Sequence, residues 1–306
     1  MLTKEQIERL ENAGYRIVGP SKHSAVKTCT WTRKALRGLG FCYKQKFYGI
    51  SSHRCLQFTP ALPFCTHSCL FCWRDTSITY PEWKGPIDEP KIILDEAIKA
   101  QRELLMGFKG NPEVTPERFE EALNPNQVAI SLAGEPTLYP KLPELIDEIL
   151  SRKMTAFLVS NGTNPTMLEK LLDRQPTQLY KTLAAPDEET YKKTCRPLVK
   201  DGWNRLMKSL SLLKEFSCNT VIRLTLVRGL NLIKPEKYAK IIAEAEPDFV
   251  EAKAFMSVGF ARERLEYETM PLHGEIKEFA EAIAKETGYE IKDEKRDSRV
   301  VLLKRK

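Results

Sequence analysis

Cys65, Cys69 and Cys72 place three thiols within eight residues of a 306-residue chain, with three residues in the first gap and two in the second. Thiolates this close in sequence can turn toward one point from a single tight loop. Soft sulfur donors in that arrangement suit an iron–sulfur cubane. A cubane has four irons, so three protein ligands leave the fourth with an open coordination position. Phe71, directly before the third cysteine, would lie beside whatever docks there. Zinc is a competing reading, because His67 lies inside the loop and a fourth ligand from elsewhere could complete a structural site. A disulfide with a spare thiol is a third, but nothing else in the sequence points to an oxidising compartment.

A second set, Cys29, Cys42 and Cys55, has twelve residues between each neighbouring pair. Equal long gaps suit loops that return to a common point, and thiols without near partners imply a metal or a second cluster. The alternative is three buried structural cysteines, a frequent use of the free thiol. Cys195 and Cys218 read as plain thiols, and His23, His53 and His273 lack metal-ligand spacing.

Charge is distributed unevenly around these cysteines. The net charge is +7, yet residues 1–60 alone hold eleven Lys and Arg against three Glu, so the remainder of the chain is slightly acidic. The basic residues are interleaved with Trp31, Phe41, Tyr43, Phe47 and Tyr48. A polyanion-binding surface needs that mixture; basic residues that merely solvate a small domain also produce it. No apolar run approaches the length of a membrane span, and MLTKEQIERLENAGY lacks a leader's apolar segment, so a cytoplasmic protein with no membrane partner is expected.

The elements that must position these residues follow from periodicity. Residues 3–14 read as an amphipathic helix capped by Thr3 and ended by Gly14. Strands are expected at 54–59, 127–133, 155–160, 178–183, 220–227 and 248–256. Helices are expected at 89–108, 142–152, 166–174, 202–216, 235–245 and 275–286. Repeated strand-then-helix units of this size argue for parallel strands and right-handed crossovers, and six units match a partial (β/α)6 TIM-like barrel better than eight. A terminal pair, 288–292 and 298–303, reads as a hairpin or an edge strand. The expected division is a basic, cysteine-bearing N-terminal extension over 1–53, the α/β barrel over 54–260, and a C-terminal helix with strands over 261–306.

Parallel barrels gather their chemistry at the C-terminal strand ends. Polar residues recur there: Cys65, Cys69 and Cys72 after the first strand, Ser131, Gly134 and Glu135 after the second, Ser160 and Asn161 after the third. Thr182, Arg223 with Thr225, and Glu251 with Lys253 follow on the fourth to sixth. Gly134-Glu135-Pro136 is a turn in which glycine lets the backbone approach a ligand closely and the carboxylate can face an ammonium.

Together these motifs carry a resemblance. The C-x3-C-x2-C loop ending in Phe71-Cys72 is similar to the radical S-adenosylmethionine superfamily. The C-x12-C-x12-C set, Phe41 to Ile50, His53-Arg54-Cys55, Phe71 to Arg74, Ser131 to Pro140, Val159 to Gly162, Pro176 to Tyr180 and Asp297 to Val300 closely resemble the archaeal tRNA 4-demethylwyosine synthases, over essentially the whole chain. Ala133 stands where the superfamily's turn has its first glycine.

The resemblance implies a radical SAM barrel carrying two 4Fe–4S clusters, one on Cys65, Cys69 and Cys72 that binds S-adenosylmethionine (SAM), and an auxiliary one on Cys29, Cys42 and Cys55. It implies cofactor contacts at Phe71, Gly134, Glu135, Ser160, Asn161, Thr182 and Arg223. It also implies conversion of N1-methylguanosine beside the anticodon of tRNA-Phe to 4-demethylwyosine, with pyruvate giving two carbons. The second cluster would face the first across the substrate and chelate pyruvate. Alternatively Lys44 or Lys46, two and four residues after Cys42, would form a Schiff base with pyruvate, because an amine in a partly desolvated, positively charged site condenses readily with a keto acid. Lys44 is the better candidate, and phosphate contact is the competing use of both. A separate low-potential donor, flavodoxin or ferredoxin, would supply electrons to a monomer. Two rivals remain: a radical SAM enzyme acting on a protein or small molecule, and a zinc-bound, non-catalytic RNA-binding protein.

Overall fold

The computed structural model describes residues 2–306. The chain divides into two compact units, one comprising residues up to 64 with 82–159 and 174–177, the other 65–81, 160–173 and 178–306.

The first unit begins with α1 (Lys4–Asn12), whose Thr3 hydroxyl accepts from the Gln6 amide while the Gln6 side chain returns to the Thr3 amide. Its strands run β1 (Arg16–Val18), β2 (Ser24–Val26), β3 (Cys55–Thr59), β4 (Gln127–Ile130) and β5 (Thr155–Ser160) in sheet order. β1, β2 and β3 are antiparallel neighbours, whereas β3, β4 and β5 are parallel. Between β2 and β3 lie two short helices, α2 (Thr30–Leu36) and α3 (Tyr43–Tyr48), and Cys29 and Cys42 are the residues directly before them. Covering helices are α4 (Pro90–Leu105), α5 (Pro116–Leu123) and α6 (Leu142–Ser151). The β1–β2 hairpin, α2, α3 and α5 occupy stretches in which no regular element was expected. Three-residue strands are too short to show alternation, and Ser24-Ala25-Val26 is buried throughout.

The second unit holds α7 (Pro165–Leu171), α8 (Glu188–Cys195), α9 (Gly202–Ser211), α10 (Pro235–Ala245) and α11 (His273–Thr287). Its strands are β6 (Gln178–Thr182), β7 (Asn219–Leu226), β8 (Phe249–Ala254), β9 (Glu290–Lys295) and β10 (Val300–Lys304). β6, β7 and β8 are parallel, so each unit contributes three strands of the expected parallel type. The terminal pair forms as expected, with its turn at 296–298. β10 lies between β8 and β9, antiparallel to both, so only β9 is left at the edge.

Local sequence explains where the helices start. Proline stands in the first turn of α4, α5, α6, α7 and α10, where its missing amide has no intrahelical partner to lose. Thr115, Asn164 and Asp187 cap α5, α7 and α8 through side-chain oxygens. Leu56, Phe58, Val128, Ile130, Ala156 and Leu158 are fully buried on the first unit's parallel strands, as are Val221, Ile222, Leu224, Val250 and Ala252 on the second's. Each large side chain buried in this way contributes about 1.5–3 kcal/mol. Among the described residues no helix is long and apolar enough to cross a membrane.

Candidate functional site

Cys65, Cys69 and Cys72 lie on a loop of the second unit that is fixed by the backbone of α8 and the residues after it. Ser68 donates to the Cys195 and Arg196 carbonyls at 3.2 and 3.1 Å, Leu70 donates to the Thr194 carbonyl at 3.0 Å, and the Leu198 amide donates to the Thr66 carbonyl at 2.8 Å. The Cys72 amide closes a turn on the Cys69 carbonyl at 3.2 Å, and the Cys65 amide donates to the Tyr80 carbonyl at 2.9 Å. Buried Arg74 reaches back from the end of the loop. Its guanidinium donates to the His67 carbonyl at 3.0 Å, the Ile78 carbonyl at 3.2 Å and the Thr79 hydroxyl at 2.7 Å.

The electrostatics of the loop centre on this arginine. Burial alone would lower the Arg74 pKa, yet the charges of Cys65, Cys72 and Cys69 together raise it, so all three sulfurs lie within reach of one guanidinium. For Cys72, burial pushes the thiol up while Arg74 and, more weakly, Arg264 pull it back. Cys69 is held well above the ordinary thiol range, first by its hydrogen bond with Cys195 and then by burial. A metal reverses both effects, because it binds the thiolate.

Asn161, after β5, completes the loop. Its amide nitrogen donates to the Thr66 hydroxyl at 2.9 Å and lies 3.8 Å from the Cys65 sulfur, while its oxygen accepts from the Thr163 amide and hydroxyl at 3.0 and 2.8 Å. Ser160 accepts from the Gly162 amide and from the buried Lys181 ammonium, both at 3.0 Å. Thr182 and Arg223 are register partners on β6 and β7. Arg223 stands 4.6 Å from the Tyr180 ring centroid and pairs with fully buried Glu251 at 2.9 Å. Phe71 is partly buried against a cluster of Val227, Phe255, Ala261 and Met270.

Gly134 and Glu135 belong to the first unit. Gly134 has a φ of +69°, and a Cβ there would meet the Ala61 carbonyl oxygen at 1.9 Å, so the close approach demanding glycine is to the protein's own backbone. The Glu135 amide donates to the Phe64 carbonyl at 2.7 Å, and its carboxylate accepts from the Thr137 amide and hydroxyl at 3.1 and 2.6 Å. The turn is thereby tied to the residue that precedes Cys65 in the chain.

The second thiol set is assembled within the first unit. Cys29 and Cys42 stand at the starts of α2 and α3, and Cys55 opens β3. The Cys55 thiol is pushed up by burial and then by Cys29, pulled down by Lys44 and pushed up again by Cys42, so these three groups all lie close enough to act on it. The Lys44 side chain is buried, with its ammonium 5.3 Å from the centroid of the Phe157 ring. Lys46, two residues on, is exposed.

Both sets pass a test of donor chemistry for iron–sulfur clusters. Each consists of three sulfurs, and each has a buried cation, Arg74 or Lys44, to offset thiolate charge. The rival zinc reading also acquires geometry, since ligand atoms of His67, Cys69 and Cys195 lie within 4.8 Å of one another. His67 is already engaged, through Nε2 to the Tyr191 hydroxyl at 2.5 Å, and burial followed by the Arg74 charge lowers its pKa to about 3. Cys195, read as a plain thiol, is thus a neighbour of the loop; its distance in sequence hid this. Arg74 had a local signal, as it follows Trp73 at the end of the loop. Arg264 had none.

Comparison with known proteins follows from this geometry. The radical SAM superfamily matches residues 59–242, more than half of the chain, and a family described as wyosine base formation matches residues 244–305. The fold and the three-thiol loop thus define a radical SAM protein. The S-adenosyl-L-methionine-dependent tRNA 4-demethylwyosine synthase of Pyrococcus horikoshii is 52% identical over 99% of this chain and 90% of its own length. The chain belongs to the tRNA 4-demethylwyosine synthase family. A structure of TYW1 with a lysine-pyruvate adduct bound superposes with a TM-score of 0.89 at 39% identity, covering 99% of this chain and 96% of that one. A crystal structure of archaeal TYW1 gives 0.81 at 35% identity over the same shares. These matches make the fold the partial barrel expected from the six strand–helix units.

Proposed function

We propose that the chain converts N1-methylguanosine in tRNA-Phe to 4-demethylwyosine, using SAM, pyruvate and two 4Fe–4S clusters, and that it works as a cytoplasmic monomer. The observation that carries the reading is the second thiol set, in which Cys29, Cys42 and Cys55 share their surroundings with the buried Lys44 amine. The basic segment around that set favours a polyanionic tRNA over a protein or small-molecule substrate.

When bound, the cluster on Cys65, Cys69 and Cys72 supplies the one-electron cleavage of the SAM sulfonium, and hence the radical that removes hydrogen from the substrate's N-methyl group. The chain's own residues do the remaining work. Asn161 orients Cys65, and Arg74 balances the thiolates. Glu135, whose direction is set by Thr137, is assigned to the methionine ammonium, with Gly134 shaping the turn. Phe71, Ser160, Asn161, Thr182 and Arg223 are assigned to the remainder of SAM.

Lys44 is assigned to pyruvate. Its neutral amine adds to the keto carbon and water leaves, giving an imine that holds the two carbons to be transferred. The relative's lysine–pyruvate adduct supports a lysine in this role. Lys46 is assigned to tRNA phosphate together with exposed Lys22 and Arg33. Electrons come from a separate flavodoxin or ferredoxin.

The test is anaerobic reconstitution, with iron and sulfide counted, followed by dithionite, SAM, pyruvate and tRNA-Phe bearing N1-methylguanosine. Digested nucleosides are then analysed by mass spectrometry. A tricyclic nucleoside that depends on both SAM and pyruvate is expected. Formation of 5′-deoxyadenosine without it would leave the enzyme class standing and remove the substrate. Zinc in a colourless sample would remove both.

A further inference from the structure

Arg264 lies 192 residues from Cys72 in sequence and yet is bonded to the cysteine loop. Its Nε donates to the Leu70 carbonyl at 3.2 Å, Nη1 to the Thr76 hydroxyl at 3.3 Å, and Nη2 to the Cys72 and, at 3.4 Å, the Arg74 carbonyls. The surrounding segment is seated on the same loop. The Phe260 amide donates to the Trp73 carbonyl at 3.0 Å. Gly259, at φ +57°, approaches that carbonyl so closely that a Cβ would stand 2.4 Å from it. Ala261 belongs to the core cluster against which Phe71 packs. This segment falls within the residues matched by the wyosine base formation family, whereas the loop belongs to the part matched by the radical SAM superfamily.

We propose that Arg264 is a positioning residue that clamps the cysteine loop to the family-specific segment and, as a fixed positive charge beside Cys72, raises the reduction potential of the cluster held there. The inference rests on the reading that Cys65, Cys69 and Cys72 hold a SAM-binding cluster. The physical reasons are two. Three carbonyls fastened by one planar fork cannot move independently, so the sulfur between them is held in one orientation. Reduction adds negative charge to a partly desolvated site, and a nearby cation stabilises the reduced form more than the oxidised one. Arg74 also adds charge and is itself hydrogen-bonded to Cys65, its other donors going to the His67, Asp75 and Ile78 carbonyls and the Thr79 hydroxyl. Of the two arginines, only Arg264 bridges the loop to the segment after β8.

The test compares the reconstituted full-length protein with Arg264→Gln, Arg264→Lys and, as a control, Arg262→Gln. Arg262, on the same segment, donates to the Ser257 carbonyl at 2.9 Å. Each is titrated with reductant and followed by the electron paramagnetic resonance signal that changes on addition of SAM, with iron counted in the same samples. Arg264→Gln should retain iron and shift the midpoint to more negative potential, leaving the reduced fraction at a fixed reductant poise about tenfold lower. Arg264→Lys should restore the potential while leaving amides 70–76 faster in hydrogen exchange, and Arg262→Gln should match the parent. An unchanged potential in Arg264→Gln would overturn the proposal. So would equal shifts in the Gln and Lys variants, or loss of iron from both, which reduces Arg264 to a structural brace. If the parent protein shows no SAM-responsive signal, the underlying cluster reading fails instead.

Discussion

The Asn161 side-chain nitrogen lies 3.8 Å from the Cys65 sulfur while the same nitrogen bonds the Thr66 hydroxyl. A residue that resemblance assigns to SAM is therefore also part of the scaffold of a cysteine that the same resemblance assigns to the cluster. Asn161→Ala should cost about 2 kcal/mol of stability through its lost bonds. The loop should also lose iron faster in air. Iron content after timed exposure, beside the unfolding midpoint, checks this; iron retention equal to the parent would confine Asn161 to the substrate.

The two thiol sets should be separable by substitution. Reconstituted protein should carry about eight irons, and Cys42→Ala or Cys69→Ala about four each. Cys42→Ala should still cleave SAM to 5′-deoxyadenosine while yielding no tricyclic nucleoside; Cys69→Ala should do neither. Chelation of iron should abolish both reactions. An active Cys42→Ala variant would rule out an auxiliary cluster in the chemistry.

Lys44 and Lys46 differ in surroundings, the one buried beside Cys55 and the other exposed. Borohydride with pyruvate should add a pyruvate-derived mass to the peptide containing Lys44. Lys44→Ala should reduce product formation on the order of a hundredfold, as expected for loss of a positioned reactant. Lys46→Ala should chiefly weaken tRNA binding and make it less dependent on salt. Trapping on another lysine would displace Lys44.

Gly134→Ala should be among the most damaging single-methyl additions. The new Cβ meets a backbone oxygen, not the movable end of a side chain, and the residue sits at positive φ. About 3 kcal/mol or more of destabilisation is expected, read as a lowered unfolding midpoint of the cluster-free protein. A midpoint within error of the parent would mean that the turn relaxes freely.

His23 gives a pH dependence. Burial, the largest influence, lowers its pKa despite the nearby Pro60 carbonyl and Asp88 carboxylate. Its Nδ1 donates to the Pro60 carbonyl at 2.8 Å, its Nε2 accepts from the Asp88 amide at 3.1 Å, and Trp83 and Tyr139 pack around the ring. The unfolded chain therefore takes up this proton at higher pH than the folded one. The stability contribution is complete above about pH 6.5 and is lost as pH falls below it. The unfolding midpoint should drop between pH 7 and 5 less steeply in His23→Gln than in the parent.

Legibility in the sequence followed the range of the interactions. The β5 bounds at 155–160 and the α10 bounds at 235–245 were read correctly because strand periods and proline starts are local signals. The β1–β2 hairpin was missed because three residues carry no period. Gly134 was read as a glycine in a tight approach, but the partner, Ala61, could not be seen. Cys195 and Arg264 were missed as neighbours of the cysteine loop for the same reason: nothing local distinguishes a buried thiol or a loop arginine from one that touches a site more than a hundred residues away.

The place of β10 between β8 and β9 has a consequence in time. Translation yields Cys65, Cys69 and Cys72 long before Arg264, and yields the strand that separates β8 from β9 after both of them. The second unit's sheet cannot close while its last strand is still being synthesised. Until Arg264 is made, the cysteine loop lacks that arginine's bonds to the Leu70, Cys72 and Arg74 carbonyls. A cluster inserted during synthesis would therefore meet a loop not yet fastened, and one inserted after release a fastened loop.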